Sequence, residues 1–287
     1  MERIDGREIA REVYAELGQR IAQLKEQGIV PTLVILQVGN DETTNTYIRA
    51  KQRAAEPIGI TVRVERFNSS MEPALLQETL AKTIRDLNND SSVNGIILQL
   101  PVPATIDDQA IIDEIRAEKD VDGLTATNQA ALEAGRELMV PATPQGILRI
   151  LTAYHVPIEG ASVGLIGHGR LVGRPLAHML RFRSANVRIG DSKTDDLSTV
   201  TRGADIVIAA AGAAGIVTPD MVEPNSVLID VGLSEVDAKL ASDITDQAKE
   251  KARLATPVPG GVGPMTVASL LANVVLAAEL ACLRDSQ

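Results

Sequence analysis

A tyrosine and a lysine four residues apart could do acid-base chemistry on a bound ligand. Tyr47 and Lys51 lie in the segment T-T-N-T-Y-I-R-A-K, and this spacing places both side chains on one face of a helix. A lysine amine that is shielded from water loses its proton more easily, so it could transfer protons near neutral pH. The same spacing is common on solvated helices, so the pair alone does not distinguish catalysis from a plain helix surface.

Two further polar groups could act beside this pair. Gln99 lies between Leu98 and Leu100 in L-Q-L-P-V-P, at the predicted carboxyl end of a strand, where open α/β sheets bind ligands. A polar side chain between leucines needs a partner, although Gln99 also fits a plain strand end. Asp120 and Asp122 lie in K-D-V-D-G, which is either a ligand-binding turn or an ordinary polar turn.

Two glycine-rich segments could hold flat or charged ligands. Gly167, Gly169 and Gly173 follow an apolar strand and open a helix, the context in which helix N-terminal amides bind a pyrophosphate. Their G-x-G-x-x-x-G spacing has one residue more than the usual fingerprint, and a structural tight turn is the alternative. In T-P-V-P-G-G-V-G-P-M-T, prolines stiffen the backbone and glycines let a flat ring approach it, unless the segment is only a turn before a helix.

Charged residues near the glycines bear on the choice of coenzyme. Asp191 follows the next predicted strand, where an acid accepts hydrogen bonds from a ribose 2′-hydroxyl and repels a 2′-phosphate. Asp191 therefore favours NAD, whereas Ser192, Lys193 and Arg170 favour NADP. Capping of a loop by Asp191 is an equal alternative.

Helices and strands are predicted to alternate along the chain, and these elements must position the polar groups. In the first half, helices are predicted at 7–27, 43–57, 73–88 and 107–117, and strands at 32–38, 61–67 and 95–100. After an irregular stretch at 119–141, helices are predicted at 144–154, 172–182, 196–202 and 265–283, and strands at 162–166, 185–189, 205–210 and 226–231. This alternation predicts an α/β fold with right-handed crossovers.

Length and composition favour two domains and a small-molecule ligand. A chain of 287 residues exceeds the usual size of one domain. The 38 acidic residues against 28 basic ones argue against nucleic acid or an anionic membrane as the partner. Cys282 is the single cysteine, so it cannot form an internal disulfide, and the N-terminal sequence lacks the layout of a secretory signal. The sequence also has no uninterrupted apolar run of about eighteen residues. Together these features predict a cytoplasmic protein. The three histidines have no ligand-spaced neighbours, so no metal site is predicted.

Seven motifs together resemble the bifunctional methylenetetrahydrofolate dehydrogenase/methenyltetrahydrofolate cyclohydrolase family. They are Y-I-R-A-K, L-Q-L-P-V-P, K-D-V-D-G-L, P-A-T-P-Q-G, G-H-G-R-L-V-G-R-P, D-V-G-L and T-P-V-P-G-G-V-G-P-M-T-V-A, in the family's order and over essentially the whole chain. The resemblance implies an α/β catalytic domain at 1–140, completed by a C-terminal helix at 265–287 that packs back on it. It also implies a Rossmann-type NAD(P)-binding domain at 141–264, a folate cleft between the domains, and a homodimer.

The resemblance implies oxidation of 5,10-methylenetetrahydrofolate with NADP, then hydrolysis to 10-formyltetrahydrofolate. Lys51 resembles the family's catalytic lysine, Gln99 the glutamine that orients it, and Asp122 the aspartate that holds the pterin. Tyr47 resembles the tyrosine that stacks on the aminobenzoyl ring. The other implied substrate positions are Leu98, Leu100, Pro259, Gly260, Gly261, Val262, Gly263, Pro264, Met265, Thr266 and Val267. The implied cofactor positions are Gly167, His168, Gly169, Arg170, Gly173, Asp191, Ser192, Lys193 and Leu233.

The chain departs from the family mainly on the coenzyme side. The family usually has Ser at the position of Gly169 and often His at that of Asp191, so NADP competes with NAD. Three other interpretations stay open: a monofunctional NAD-dependent dehydrogenase, a shikimate-type dehydrogenase, whose pattern lacks the Pro-Gly-Gly segment, and a nucleotide-binding sensor without turnover. Retention of Lys51 and Gln99 favours the bifunctional enzyme.

Overall fold

The computed structural model describes residues 2–236 and 239–285, without the side chains of residues 233–240 and 285. Helices and strands alternate along most of it, as the sequence predicts. In chain order they are β1 (Glu2–Arg3), α1 (Gly6–Glu26), β2 (Thr32–Val38), α2 (Glu42–Ala55), β3 (Thr61–Phe67), α3 (Pro73–Asn89), β4 (Gly95–Gln99), α4 (Asp108–Ile112), α5 (Ala126–Glu133), α6 (Ala142–Ala153), β5 (Ser162–Ile166), α7 (Gly173–Phe182), β6 (Asn186–Gly190), α8 (Ser198–Thr201), β7 (Ile206–Ala209), β8 (Val227–Asp230), β9 (Leu233–Val236), β10 (Lys239–Ser242), α9 (Asp246–Lys251), β11 (Leu254–Ala255) and α10 (Val262–Asp285).

The chain forms two compact units. The three-stranded unit contains Glu12–Ala142 and the chain from Val267 onward. Its parallel sheet has the order β3-β2-β4, and every residue of the central strand β2 is buried, as expected for a parallel strand covered on both faces. Leu80 and Ile84 of α3 pack in one core cluster with Val34 and Leu36 of β2.

The six-stranded unit contains the chain up to Arg11 together with Thr143–Thr266. Its sheet has the order β1-β11-β8-β7-β5-β6, and all its pairings are parallel. Strands β9 and β10 form a separate antiparallel pair. The carboxyl ends of β5, β6, β7 and β8 share one edge of the sheet, which is where such sheets bind ligands.

The structure differs from the predicted elements in several places, and three of them concern the boundaries of the two units. The stretch predicted to be irregular at 119–141 contains α5, where Thr125 caps the backbone N–H of Asn128 at 3.3 Å. The chain up to Arg11, predicted to belong with 1–140, joins the other unit because β1 pairs with β11. The last helix begins at Val262 rather than at the predicted 265. Short strand pairings across distant parts of a chain leave no local sequence signal, so β1 and β11 were not predicted.

The C-terminal helix α10 is a core element of the three-stranded unit from Val267 onward, as predicted. By length and composition Val262–Arg284 could cross a membrane, yet 56% of its most apolar window is buried inside the structure. Asn273 lies at its centre, 1% exposed. The Asn273 Nδ2 donates to the carbonyls of Val121 at 2.8 Å and Val140 at 2.9 Å. One amide thus fixes α10 against two loops.

Replacing Asn273 with alanine is expected to lower the free energy of unfolding by about 3 kcal/mol, because two buried carbonyls lose their donor. The measurement is urea unfolding followed by circular dichroism. The control is Asn89→Ala, which removes an exposed amide that accepts from Arg116 at 3.0 Å and should cost less than about 1 kcal/mol. Equal losses in the two variants would contradict this role for Asn273.

Candidate active site

Helix α2 carries the tyrosine and the lysine at the carboxyl edge of the three-stranded sheet. Asp41 caps its first turn, because the Asp41 Oδ1 accepts from the backbone N–H of Thr44 at 2.8 Å. Thr44 and Ile48 form the buried face of the helix. Tyr47 is 42% exposed, so its ring is available to a flat ligand, whereas Lys51 is partly buried.

Lys51 is held by the glutamine that the sequence singled out. The Lys51 Nζ donates to the Gln99 Oε1 at 2.5 Å. The Gln99 Nε2 in turn donates to the carbonyl of Leu100 at 2.8 Å, which turns the amide so that its oxygen faces the lysine. This single contact brings together two residues that lie 48 positions apart in the chain.

The two aspartates of K-D-V-D-G have different surroundings. Asp120 is 1% exposed, and its Oδ2 accepts from the Thr125 N–H and from the Asn128 Nδ2, both at 2.8 Å. Asp120 therefore holds the start of α5. Asp122 has a raised pKa, because burial disfavours its charge; the positive charge of Lys51 lowers that pKa and the charge of Asp120 raises it.

Lys51 and Asp122 interact electrostatically, and their pKa values are shifted in opposite directions. Burial lowers the pKa of the Lys51 amine, and the charge of Asp122 raises it in part. An amine with a lowered pKa exists partly without its proton nearer to neutral pH, so it can accept a proton from water. A carboxyl group nearby that holds its proton more firmly can also donate a hydrogen bond. Such a pair suits proton transfer to or from a bound ligand.

The glycine turn of the six-stranded unit connects β5 to α7. Gly167 has φ of 98°, and a Cβ there would stand 2.3 Å from the Ala210 carbonyl oxygen. A Cβ on Gly173 would stand 2.0 Å from the Gly167 oxygen. These two glycines thus allow the backbone segments to pack together. A Cβ on Gly169 would meet no heavy atom of the described residues within 4 Å, so the turn before α7 is open on this side, and it fits a dinucleotide pyrophosphate.

The predicted coenzyme-selecting residues follow β6 at the same edge of the sheet. Asp191, Ser192 and Lys193 are exposed. The Asp191 Oδ1 accepts from the Lys193 N–H at 2.9 Å, and the Asp191 N–H donates to the Thr194 Oγ1 at 3.1 Å. Asp191 therefore caps its own loop, as one of the two sequence interpretations predicts.

The remaining predicted cofactor positions lie on both sides of these residues. His168 is exposed and Arg170 is partly buried. Leu233 begins β9, and its side chain lies outside the described part of the structure.

The Pro-Gly-Gly segment joins β11 to α10. The Gly261 N–H donates to the Pro257 carbonyl at 3.0 Å, and Gly260 has φ of 109°. Of the predicted substrate positions, Val262, Gly263, Pro264, Met265, Thr266 and Val267 lie in the first turns of α10 rather than in a loop.

Gly6 supports this segment and is not among the residues that the sequence predicts for the site. The Gly6 N–H donates to the Gly260 carbonyl at 3.1 Å, and a Cβ on Gly6 would stand 1.8 Å from the Gly261 oxygen. The dipeptide D-G before a helix was the available signal, but it marks only a helix start.

Two models of one protein family match successive parts of the chain. The model described as the catalytic domain of tetrahydrofolate dehydrogenase/cyclohydrolase matches residues 4–122. The model described as the NAD(P)-binding domain of the same enzymes matches residues 141–282. The chain belongs to the tetrahydrofolate dehydrogenase/cyclohydrolase family. Lys51, Gln99 and Asp122 fall in the catalytic match, and the glycine turn and Asp191 fall in the NAD(P)-binding match.

Relatives of the tetrahydrofolate dehydrogenase/cyclohydrolase family resemble the chain over almost its full length. The bifunctional protein FolD of Macrococcus caseolyticus is 40% identical over 279 residues, which cover 97% of this chain and 98% of that protein. The crystal structure of the bifunctional FolD methylenetetrahydrofolate dehydrogenase/cyclohydrolase from Campylobacter jejuni has a TM-score of 0.93 and 37% identity, covering 98% of this chain and 99% of the other. The Trypanosoma brucei FolD, solved with NADP and an inhibitor, has a TM-score of 0.91 and 32% identity, covering 97% of both chains.

Membership of the tetrahydrofolate dehydrogenase/cyclohydrolase family decides between the interpretations of the sequence. The chain is an enzyme with the family's two activities, oxidation of methylenetetrahydrofolate and hydrolysis of methenyltetrahydrofolate. The predicted two-domain α/β fold with a Rossmann-like NAD(P)-binding domain is confirmed. These matches give no support to the monofunctional, shikimate-type or sensor interpretations.

Proposed function

We propose that NADP is the hydride acceptor, bound at the glycine turn of the six-stranded unit, and that Lys51 transfers protons in the hydrolysis step. The contact between Lys51 and Gln99 at 2.5 Å carries the second part. The first part is supported by the open side of the glycine turn at Gly169 and by the Trypanosoma brucei relative, which was solved with NADP.

In the oxidation step, a nitrogen lone pair of methylenetetrahydrofolate expels a hydride from the methylene carbon, and NADP supplies the acceptor when it is bound. The protein has little acid-base work to do here and chiefly has to align two rings. Tyr47, with its exposed ring, is assigned to stack on the aminobenzoyl ring. The stiff segment around Gly260 and Gly261 is assigned to the pterin and nicotinamide side.

In the hydrolysis step, water attacks the methenyl carbon and loses one proton. The bond between that carbon and N5 then breaks, and the remaining hydroxyl proton passes to N5, which gives 10-formyltetrahydrofolate and one released proton. Lys51 accepts or relays that proton, because burial lowers the pKa of its amine. Gln99 keeps the amine in place through its oxygen. Asp122 is assigned to the amino and ring nitrogens of the pterin, since a carboxyl group can exchange two hydrogen bonds with such an edge.

The coenzyme choice depends on a balance of charges after β6. We expect faster initial rates of methenyltetrahydrofolate formation with NADP than with NAD at matched concentrations. Because the exposed carboxylate of Asp191 opposes a 2′-phosphate, Asp191→Asn should raise the NADP to NAD ratio of kcat/KM by about threefold to tenfold. The control is Asp195→Asn, which removes another exposed carboxylate of the same segment and should leave that ratio unchanged.

Two results would contradict this proposal. Faster turnover of the wild-type enzyme with NAD would make Asp191 the residue that selects NAD. No oxidation with either coenzyme would overturn the assignment of the hydride acceptor.

The resemblance to the family also supports a homodimer joined through the NAD(P)-binding units, and a cytoplasmic location.

A further inference from the structure

A fully buried carboxylate lies beneath one loop at the carboxyl edge of the six-stranded sheet. Asp243 is 0% exposed. Its Oδ2 accepts from the backbone N–H groups of Ala211 at 2.8 Å and Gly212 at 2.9 Å, and its Oδ1 accepts from that of Ala213 at 2.8 Å. Three successive amides on one carboxylate define the path of this loop, because each donor fixes one peptide plane.

The carboxylate of Asp243 is confined by its surroundings. A Cβ on Gly232 would stand 1.8 Å from the Asp243 Oδ2, so the glycine of the D-V-G-L motif leaves the space that this carboxylate fills. The Asp243 N–H donates to the Asp230 Oδ1 at 3.3 Å. Asp230 is in turn paired with the Lys249 Nζ at 2.7 Å, and both side chains are buried. Asp243 is thus fixed from its backbone as well as from its side chain.

The loop that Asp243 holds is in contact with the glycine turn. Ala210 and Ala211 follow β7, and a Cβ on Gly167 would stand 2.3 Å from the Ala210 oxygen and 2.8 Å from the Ala211 nitrogen. A shift of the Ala211 amide would therefore change the packing against Gly167.

We propose that Asp243 is a positioning residue for the dinucleotide: its buried carboxylate holds the loop after β7 against the glycine turn, so that the binding surface is formed before the ligand arrives. This inference rests on the proposed function, because it takes the carboxyl edge of the six-stranded sheet as the dinucleotide site. Preformed surfaces bind more tightly since no ordering cost remains at the moment of binding. Asp243 does not itself touch the reacting atoms.

The test is Asp243→Asn in the full-length enzyme. Asparagine has one acceptor oxygen and an NH₂ group, so it leaves at least one of the three amides facing a donor. We expect the KM for NADP to rise about tenfold or more, the factor equivalent to about 1.4 kcal/mol. The KM for methylenetetrahydrofolate and the rate of methenyltetrahydrofolate hydrolysis should stay within about twofold of wild type. An unchanged KM for NADP would overturn the proposal, as would an equal loss of both activities in a folded variant.

Two further variants keep the test decisive. Ala213→Pro removes one of the three donors from the loop side, at a partly exposed position, and should raise the KM for NADP even where Asp243→Asn does not fold. The matched control is Asp205→Asn. The Asp205 Oδ2 also accepts from a backbone N–H, that of Ser162 at 2.8 Å. Ser162 begins β5 and so lies at the opposite end of that strand from the glycine turn. The KM of the Asp205→Asn enzyme for NADP should therefore not change. A wild-type enzyme without oxidation activity would instead count against the proposed function.

Discussion

Replacing Lys51 with arginine is expected to slow the hydrolysis of methenyltetrahydrofolate by about 100-fold or more, the usual contribution of a positioned acid-base group. Arginine keeps the positive charge and a donor for the Gln99 oxygen, but a guanidinium does not release its proton in a protein. The variant therefore separates proton transfer from simple attraction. The measurement is the loss of methenyltetrahydrofolate absorbance in the absence of coenzyme, and oxidation of methylenetetrahydrofolate should fall much less.

The pH dependence of the hydrolysis rate follows from the lowered pKa of Lys51. Because burial lowers the pKa of the Lys51 amine, the neutral form becomes available at a lower pH than for an ordinary lysine. The hydrolysis rate of the wild-type enzyme should rise with pH through that pKa and then level off. Lys51→Arg should lack this rise.

A second lysine provides the control for this experiment. Burial also lowers the pKa of Lys119, but the Lys119 Nζ donates to the carbonyls of Leu87 at 3.0 Å and Asp90 at 2.7 Å. Lys119 thus has a structural role, and Lys119→Arg should keep the wild-type pH profile. Undiminished hydrolysis by the Lys51→Arg enzyme would rule out Lys51 as the proton-transfer group.

Replacing Gly173 with alanine is expected to lower kcat/KM for oxidation by about 100-fold or more, because the helix start must move away from the glycine turn. The added Cβ would stand 2.0 Å from the Gly167 oxygen and 2.9 Å from the His168 Cα. Both contacts are with backbone atoms, which cannot turn aside as a side chain can. Displacement of α7 takes its N-terminal amides away from the position in which they would bind a pyrophosphate.

The measurement is the initial rate of oxidation at increasing NADP, beside the hydrolysis rate of the same preparation. Hydrolysis should be affected only a few-fold, since Lys51 and Gln99 belong to the three-stranded unit. Gly18→Ala is the control, because a Cβ at that helical glycine would meet no heavy atom of the part of the chain that the structure describes within 4 Å. Unaltered NADP kinetics in Gly173→Ala would contradict the packing role of this glycine.

The strands at Thr32–Val38, Thr61–Phe67 and Ser162–Ile166 have the bounds that the sequence predicts. Each is an apolar or alternating run rich in β-branched residues, and such runs form strands for local reasons. The seven motifs and their order also predict the family, and the family implies both activities. The helices predicted at 107–117 and 196–202 are shorter in the structure, Asp108–Ile112 and Ser198–Thr201, because helix ends depend on local capping and packing.

The amino-acid sequence by itself determined the α/β alternation, the family and the residue types available for chemistry. Only the tertiary structure shows which of those residues contact one another. Residue type and spacing alone do not distinguish Asp120 from Asp122, yet Asp120 holds the start of α5 and Asp122 interacts with Lys51. The role of Asp243 could not be predicted from the sequence, because its three donors lie about thirty residues earlier in the chain. Periodicity reports only local geometry, whereas hydrogen bonds and desolvation depend on groups that folding brings together from distant parts of the chain.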